Sequence, residues 1–61
     1  MKMIGVVISD SHEKIYLNPN YIIGVEPHYK NKNHARITLI NNQSIEVLES
    51  VQSVLSLMGI E

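Results

Sequence analysis

The sequence predicts a mainly β domain with one C-terminal α-helix: a small antiparallel sheet or open barrel of about five strands that the helix caps. Short apolar runs are separated by turn-forming residues, as in a chain of sequential hairpins. Residues 35–47 have the pattern of a complete β-hairpin, and the residues after them carry an apolar stripe at helical spacing. Because the chain has 61 residues, we expect a single domain, 1–61.

Two strands are expected near the amino terminus. Residues 3–8 are rich in Val and Ile, which favours a strand, and Gly5 within them weakens it or marks a close approach. Polar residues 10–13 then form a turn. Residues 14–17 return as a second strand with both aliphatic side chains on one face.

A third strand follows a break at residues 18–20, where a proline between two asparagines predicts a turn. Residues 21–26 alternate so that Ile22 lies on the face opposite Ile23 and Val25. This strand is apolar on both faces, which is typical of a strand with a core on one side and a partner on the other. The polar residues 27–34 lack a period and predict an exposed, mobile loop.

The hairpin register follows from side-chain chemistry. A two-residue turn would place Ile37 opposite Glu46 and mix apolar with polar residues on each face. A three-residue loop, 40–42, with Asn42 in the left-handed conformation places Ile37 opposite Ile45 instead. One face then pairs Ala35 with Val47, Ile37 with Ile45 and Leu39 with Gln43, and the other face pairs Arg36 with Glu46 and Thr38 with Ser44.

A short helix is expected after the hairpin. Ser50 has the chemistry of an N-cap, and Gly59 that of a helix terminator. The apolar stripe between them consists of Val51, Val54, Leu55 and Met58. A helix of about two turns is not stable alone in water, so the stripe has to pack on the sheet.

Composition favours an association domain in the cytoplasm. The chain has no Cys, which excludes disulfides and thiolate metal sites, and it lacks a long apolar run, so membrane insertion is not expected. The apolar fraction of 44% is high for so short a chain and predicts a homo-oligomer with a further, unidentified protein partner. The candidate interface residues, left over once the core is filled, are Val7, Tyr16, Ile22 and Leu57.

No residue set predicts an enzyme, a cofactor site or a metal site. Residues 10–13, Asp-Ser-His-Glu, include the residue types of a catalytic triad, but sequence neighbours on a tight turn point apart, which favours a solvated turn. His12, His28 and His34 fit no zinc-binding spacing.

The best candidate for a binding loop lies between the third and fourth strands. Its basic and aromatic residues are His28, Tyr29, Lys30, Lys32 and His34. With Arg36 they offer groups that contact phosphate and stack on a base, so the alternative function is nucleic-acid binding or regulation through loop 28–36. The net charge of −1 favours a solvated loop instead.

Three segments carry a family resemblance. LNPNYIIGVE at residues 17–26 resembles the LNxxxIxxIE segment of the small FlbD/SwrD-type flagellar and swarming-motility proteins. ITLINN at residues 37–42 resembles the ITLxNG turn of the same family, and VLESV at residues 47–51 resembles its VxES helix start. The chain departs from this family at Asn42, where the family has Gly, and in its longer loop at 28–34.

The resemblance implies a non-enzymatic β protein of flagellar or swarming motility that acts by self-association and protein contacts. The matching residues, interpreted as strand end, turn, core and cap, are Leu17, Asn18, Ile22, Asn41, Glu49 and Ser50. A weaker similarity to LytTR-type DNA-binding domains, which are longer and more basic, underlies the nucleic-acid alternative.

Overall fold

A computed structural model describes residues 2–59. Its strands are β1 (Ile4–Val7), β2 (Lys14–Leu17), β3 (Ile22–Pro27), β4 (Ala35–Leu39) and β5 (Ser44–Val47), and its helix is α1 (Val51–Leu57). A 3₁₀ turn, Pro19–Tyr21, precedes β3. The strands form a two-stranded sheet, β1-β2, and a three-stranded sheet, β3-β4-β5, both antiparallel, and as described they do not close into a barrel. The predicted fold class is confirmed.

The β1-β2 hairpin is built around a close approach at Gly5. Gly5 lies opposite Tyr16, and a Cβ added at position 5 would come within 2.8 Å of Lys14 Cε and 3.1 Å of Tyr16 Cε1. The exposed side chains of Lys14 and Tyr16 therefore lie over Gly5. The Tyr16 ring covers the backbone that Gly5, which has no side chain, leaves open. The aliphatic residues of β2, on its other face, pack against the core as predicted.

The β4-β5 hairpin has the predicted register. Ala35 pairs with Val47, Arg36 with Glu46, Ile37 with Ile45 and Thr38 with Ser44. The loop is closed by two backbone bonds, in which the Leu39 N–H donates to Gln43 O at 2.8 Å and the Asn42 N–H donates to Leu39 O at 2.9 Å. Asn42 has φ 67°, so the left-handed residue is the predicted one.

Strand β3 differs from its predicted alternation. The register with β4 shifts between Ile22 and Gly24, which places an extra residue in β3. Ile22 and Val25 consequently both pack against the core, while Ile23 is exposed. Two predictions about Ile22 are therefore wrong: that it lies on the face opposite Val25, and that it is left over once the core is filled. The reason is that side chains do not continue to alternate between the two faces through a bulge.

The two sheets are joined where β1 ends. The Ser9 N–H donates to Glu46 O at 2.8 Å and the Leu48 N–H donates to Val7 O at 2.9 Å, around an isolated bridge between Ile8 and Val47. These bonds place β1 beside β5. The strand order is therefore β2-β1-β5-β4-β3, with β2 and β3 as the two outer strands.

Helix α1 seals the apolar face of the sheets. The Ser50 side chain accepts the Ser53 N–H at 3.1 Å, and Gly59, with φ 82°, follows the helix, so both predicted caps are confirmed. The helix packs on β1, β3 and β4. The buried core consists of Ile4, Val6, Ala35, Ile37, Val47 and Val54. Between residues 2 and 59, no helix has both the length and the apolar character needed to cross a membrane.

Candidate binding surfaces

The loop between β3 and β4 is folded by its own hydrogen bonds. The His28 N–H donates to His34 O at 3.0 Å and closes the loop at its base. Within it, the His34 N–H donates to Asn31 O at 3.0 Å, and the Asn31 side chain accepts the Asn33 N–H at 3.0 Å. These hydrogen bonds define the backbone path of the loop, although its sequence has no period.

His28 connects this loop to the sheet. Its Nε2 lies 3.1 Å from Glu46 Oε1, and its Nδ1 accepts the Lys30 N–H at 3.0 Å. Both contacts are satisfied by the tautomer that carries its proton on Nε2. Only 12% of the His28 side chain is exposed. The main role of His28 is therefore to hold the loop against the sheet, and little of its side chain is accessible to a ligand.

Tyr29 is the exposed tyrosine of the loop. It is 77% exposed, and its ring stacks on His28 with the centroids 5.0 Å apart and the planes 13° from parallel. Lys30 Nζ lies 5.5 Å from the centroid of the Tyr29 ring. His34 meets His28 edge to face at 6.5 Å, and Lys32 is exposed. The structure therefore gathers His28, Tyr29, Lys30 and His34 of the predicted binding loop.

The polar face of the three-stranded sheet has ion pairs that differ from those predicted. Arg36 lies opposite Glu46 in the register, but its Nη1 is 3.8 Å from Glu26 Oε2 and its Nε donates to Ser44 Oγ at 3.2 Å. Glu46 contacts His28 instead. The predicted Arg36–Glu46 side-chain contact is thus replaced, because β3 and the loop offer each charge another partner. A shallow groove of about 290 Å³ on this face is lined by Ile8, Asp10, Arg36, Ser44, Ile45 and Glu46.

The turn after β1 has the geometry of a structural turn. The Ser11 Oγ accepts the Glu13 N–H at 3.3 Å, and His12 has φ 61° with its N–H donating to Ile8 O at 2.9 Å. All four residues of the turn, 10–13, are exposed. Within the part of the chain that the structure describes, no three His, Asp or Glu side chains are grouped so that they could hold a metal ion.

An apolar groove of about 220 Å³ lies between β3 and α1. It is lined by Ile22, Ile23, Gly24, Val25, Leu55 and Met58. Ile23 is 59% exposed beside it, because the β3 bulge turns this side chain away from the core. Sequence reasoning missed Ile23 as a surface residue, since it assigned β3 an uninterrupted alternation; the neighbouring Gly24 was the available signal of a bulge.

The four predicted interface residues have different environments. Tyr16 is 62% exposed and Leu57 is 47% exposed, so both are available at the surface. Val7 is half-buried, and its N–H donates to Glu49 Oε1 at 3.1 Å. Ile22 packs against the core, and it reaches the surface only as part of the wall of the β3-α1 groove.

No family model, curated protein or solved structure matches this chain. The resemblance to FlbD/SwrD-type proteins therefore stays a prediction.

Proposed function

We propose that this chain is a non-enzymatic protein-interaction module that works by self-association and by contact with a protein partner, and that the β3-α1 groove is its binding surface. The observation that carries the proposal is the exposure of Ile23 beside a groove whose walls are apolar. Covering such a surface removes apolar area from water, and this is the main favourable term in protein association.

The charge distribution supports the choice of this surface. None of the groove residues is charged, and residues 50–59, which include all of α1, contain no Asp, Glu, Lys, Arg or His. Charged residues are depleted at the centres of protein interfaces. The groove of similar size on the polar face carries Asp10, Arg36 and Glu46, which favours solvation there.

The family resemblance supports the finer part of the proposal. We assign the module to motility, in the cytoplasm, as FlbD/SwrD-type proteins imply. Glu49 and Ser50, which match the VxES segment, bind the backbone of β1 and cap α1. They therefore have structural roles, and the part that contacts a partner is the surface that they hold in place.

Light scattering across a range of protein concentrations tests the proposal. We expect the apparent mass of the wild-type protein to rise at micromolar concentration. Ile23→Ser should weaken association about thirtyfold or more, because covering a half-exposed Ile contributes about 1–2 kcal/mol per copy and both copies of an associating pair carry the substitution. Tyr29→Ser, which changes an exposed apolar side chain outside the groove, is the matched control and should leave the mass unchanged. A wild-type protein that stays monomeric at every concentration would contradict the proposal.

The second candidate function is nucleic-acid binding through loop 28–36. It is favoured by one observation: Tyr29 is exposed with the Lys30 ammonium near its ring. However, His28 already stacks on one face of Tyr29, and Glu46 lies beside His28, so the aromatic surface and the positive charge available to a strand are both reduced.

A further inference from the structure

Several turns of this chain are closed by a side chain that accepts the backbone N–H of the second residue after it. At Asn18, Asn31 and Asn41 the acceptor is the amide oxygen, which keeps its lone pairs whatever the pH. At His28 the acceptor is the ring nitrogen Nδ1, which binds the Lys30 N–H at 3.0 Å. A histidine ring can itself take up a proton, so the turn at His28 differs from the others in its chemistry.

The two ring nitrogens of His28 have opposite roles. Nε2 lies 3.1 Å from Glu46 Oε1, and a carboxylate only accepts hydrogen bonds, so Nε2 carries the proton. Nδ1 faces the Lys30 N–H, which only donates, so Nδ1 carries the lone pair. Both contacts together are therefore possible only for the neutral ring.

A second proton on His28 is incompatible with this turn. The proton would bind Nδ1, and the new N–H would then face the N–H of Lys30. Rotation of the ring does not restore an acceptor, because an imidazolium carries a proton on both nitrogens. The contact with Glu46, in contrast, becomes an ion pair and is strengthened. The ring therefore stays on the sheet, and the Lys30 N–H has to leave it.

We propose that loop 28–34 is a proton-dependent switch, in which protonation of His28 releases the Lys30 N–H and rearranges residues 29 and 30. Tyr29 lies between the two ends of the broken bond, so its orientation on the loop changes. The base of the loop stays closed, because the bond from the His28 N–H to His34 O uses backbone groups only. This switch is independent of the role proposed for the β3-α1 groove.

The polar face of the sheet attracts the second proton. Glu46, on β5, contacts the ring directly, and Asp10 lines the same groove as Glu46. Arg36, on β4, lies opposite Glu46 in the register, but its guanidinium contacts Glu26 of β3 and Ser44. The positive charge of Arg36 is thus directed at another carboxylate, and Glu46 is left to pair with the imidazolium.

The loop has groups that act in both directions. The Tyr29 ring stacks on His28 with the centroids 5.0 Å apart, and the face of an aromatic ring attracts a cation. The Lys30 ammonium, 5.5 Å from the centroid of the Tyr29 ring, repels one, and so does His34, edge to face at 6.5 Å, when it is charged. Because Glu46 fixes the imidazolium to the sheet, these repulsions are relieved by movement of the loop.

Nuclear magnetic resonance of the wild-type protein between about pH 8 and about pH 5, the range in which histidine changes its charge, tests the switch. Nitrogen shifts of the His28 ring identify the neutral tautomer and follow its protonation. Protection of the Lys30 amide from exchange with water, corrected for the intrinsic rate at each pH, should fall about fivefold or more with the same midpoint, as expected for the loss of one hydrogen bond. The Gln43 amide, which donates to Asn41 Oδ1, is the internal control and should keep its protection.

His28→Asn replaces the titratable acceptor by an amide oxygen that can close the same turn, as at Asn31 and Asn41. The Lys30 amide of this variant should stay protected throughout the pH range. His34→Gln is the matched control, which removes the other histidine ring of the loop and should keep the wild-type pH dependence.

Three results would each overturn the inference. The first is a His28 ring that stays neutral down to about pH 5. The second is Lys30 protection that does not change while the ring takes up its proton. The third is a pH dependence that persists in His28→Asn or disappears in His34→Gln.

Discussion

Removing the Glu49 carboxylate should destabilise the junction between the two sheets. Glu49 Oε1 accepts the N–H of Val7 at 3.1 Å in a partly buried setting. This bond lies at the end of β1, next to the backbone bonds that join β1 to β5. A hydrogen bond to a charged group contributes about 1.5–3 kcal/mol, and partial burial places this one near the lower value, so Glu49→Ala should cost about 1.5–2 kcal/mol. The expected total stability of a 61-residue domain is about 3–9 kcal/mol. The loss expected for Glu49→Ala is therefore a large fraction of the total stability of the domain.

Urea unfolding measures this effect. With a slope of about 1 kcal/mol per molar, typical of a small domain, the midpoint of Glu49→Ala should fall by about 1.5–2 M. Glu49→Gln keeps an oxygen acceptor without the charge and should retain about half of the stabilisation. Exchange of the Val7 amide should accelerate in Glu49→Ala as the local signature. If both variants unfold at the wild-type midpoint, this bond does not hold the sheets together.

Two further predictions concern the loops. Asn42→Gly should be neutral or stabilising, and Asn42→Val should cost about 1 kcal/mol or more, because a φ of 67° favours Gly and strains a β-branched residue. Urea unfolding compares the two variants. If they unfold at the same midpoint, the left-handed assignment of Asn42 and the hairpin loop built on it lose their basis. The double substitution of Lys30 and Lys32 by Glu should leave light-scattering mass unchanged. In a gel-shift titration with single-stranded and duplex DNA, a wild-type complex that weakens with salt and disappears in this variant would favour the nucleic-acid function instead.

The hairpin and the helix could be predicted from the sequence because their determinants are local. The pairing of Ile37 with Ile45 follows from the two-residue period of side chains, and the left-handed Asn42 follows from the only loop length that satisfies both faces. Ser50 and Gly59 act on backbone groups within one turn of themselves. Such features need no knowledge of where other strands lie.

The remaining features depend on which elements become neighbours. Arg36 and Glu46 are cross-strand partners in the register, yet their ion pairs are with Glu26 and His28, which belong to the third strand and to the loop. A pairing rule for two strands cannot anticipate this choice. The exposure of Ile23 was missed for a related reason, because one inserted residue reverses the faces of everything before it.

The two outer strands protect their open edges in different ways. The Ile8 N–H donates to Glu13 O at 2.8 Å, and by the same parity Lys14 and Tyr16 face the open side of β2. There the Lys14 ammonium lies 5.7 Å from the Tyr16 ring, and a lysine on an edge strand opposes pairing with another chain. On β3, Pro27 offers no N–H at one end, and the bulge between Ile22 and Gly24 interrupts the edge at the other end, where the strand borders the apolar groove. Both outer edges therefore oppose the addition of a strand: a β2-mediated dimer would require burying the Lys14 charge, and a β3-mediated one would have to pair across the bulge and Pro27.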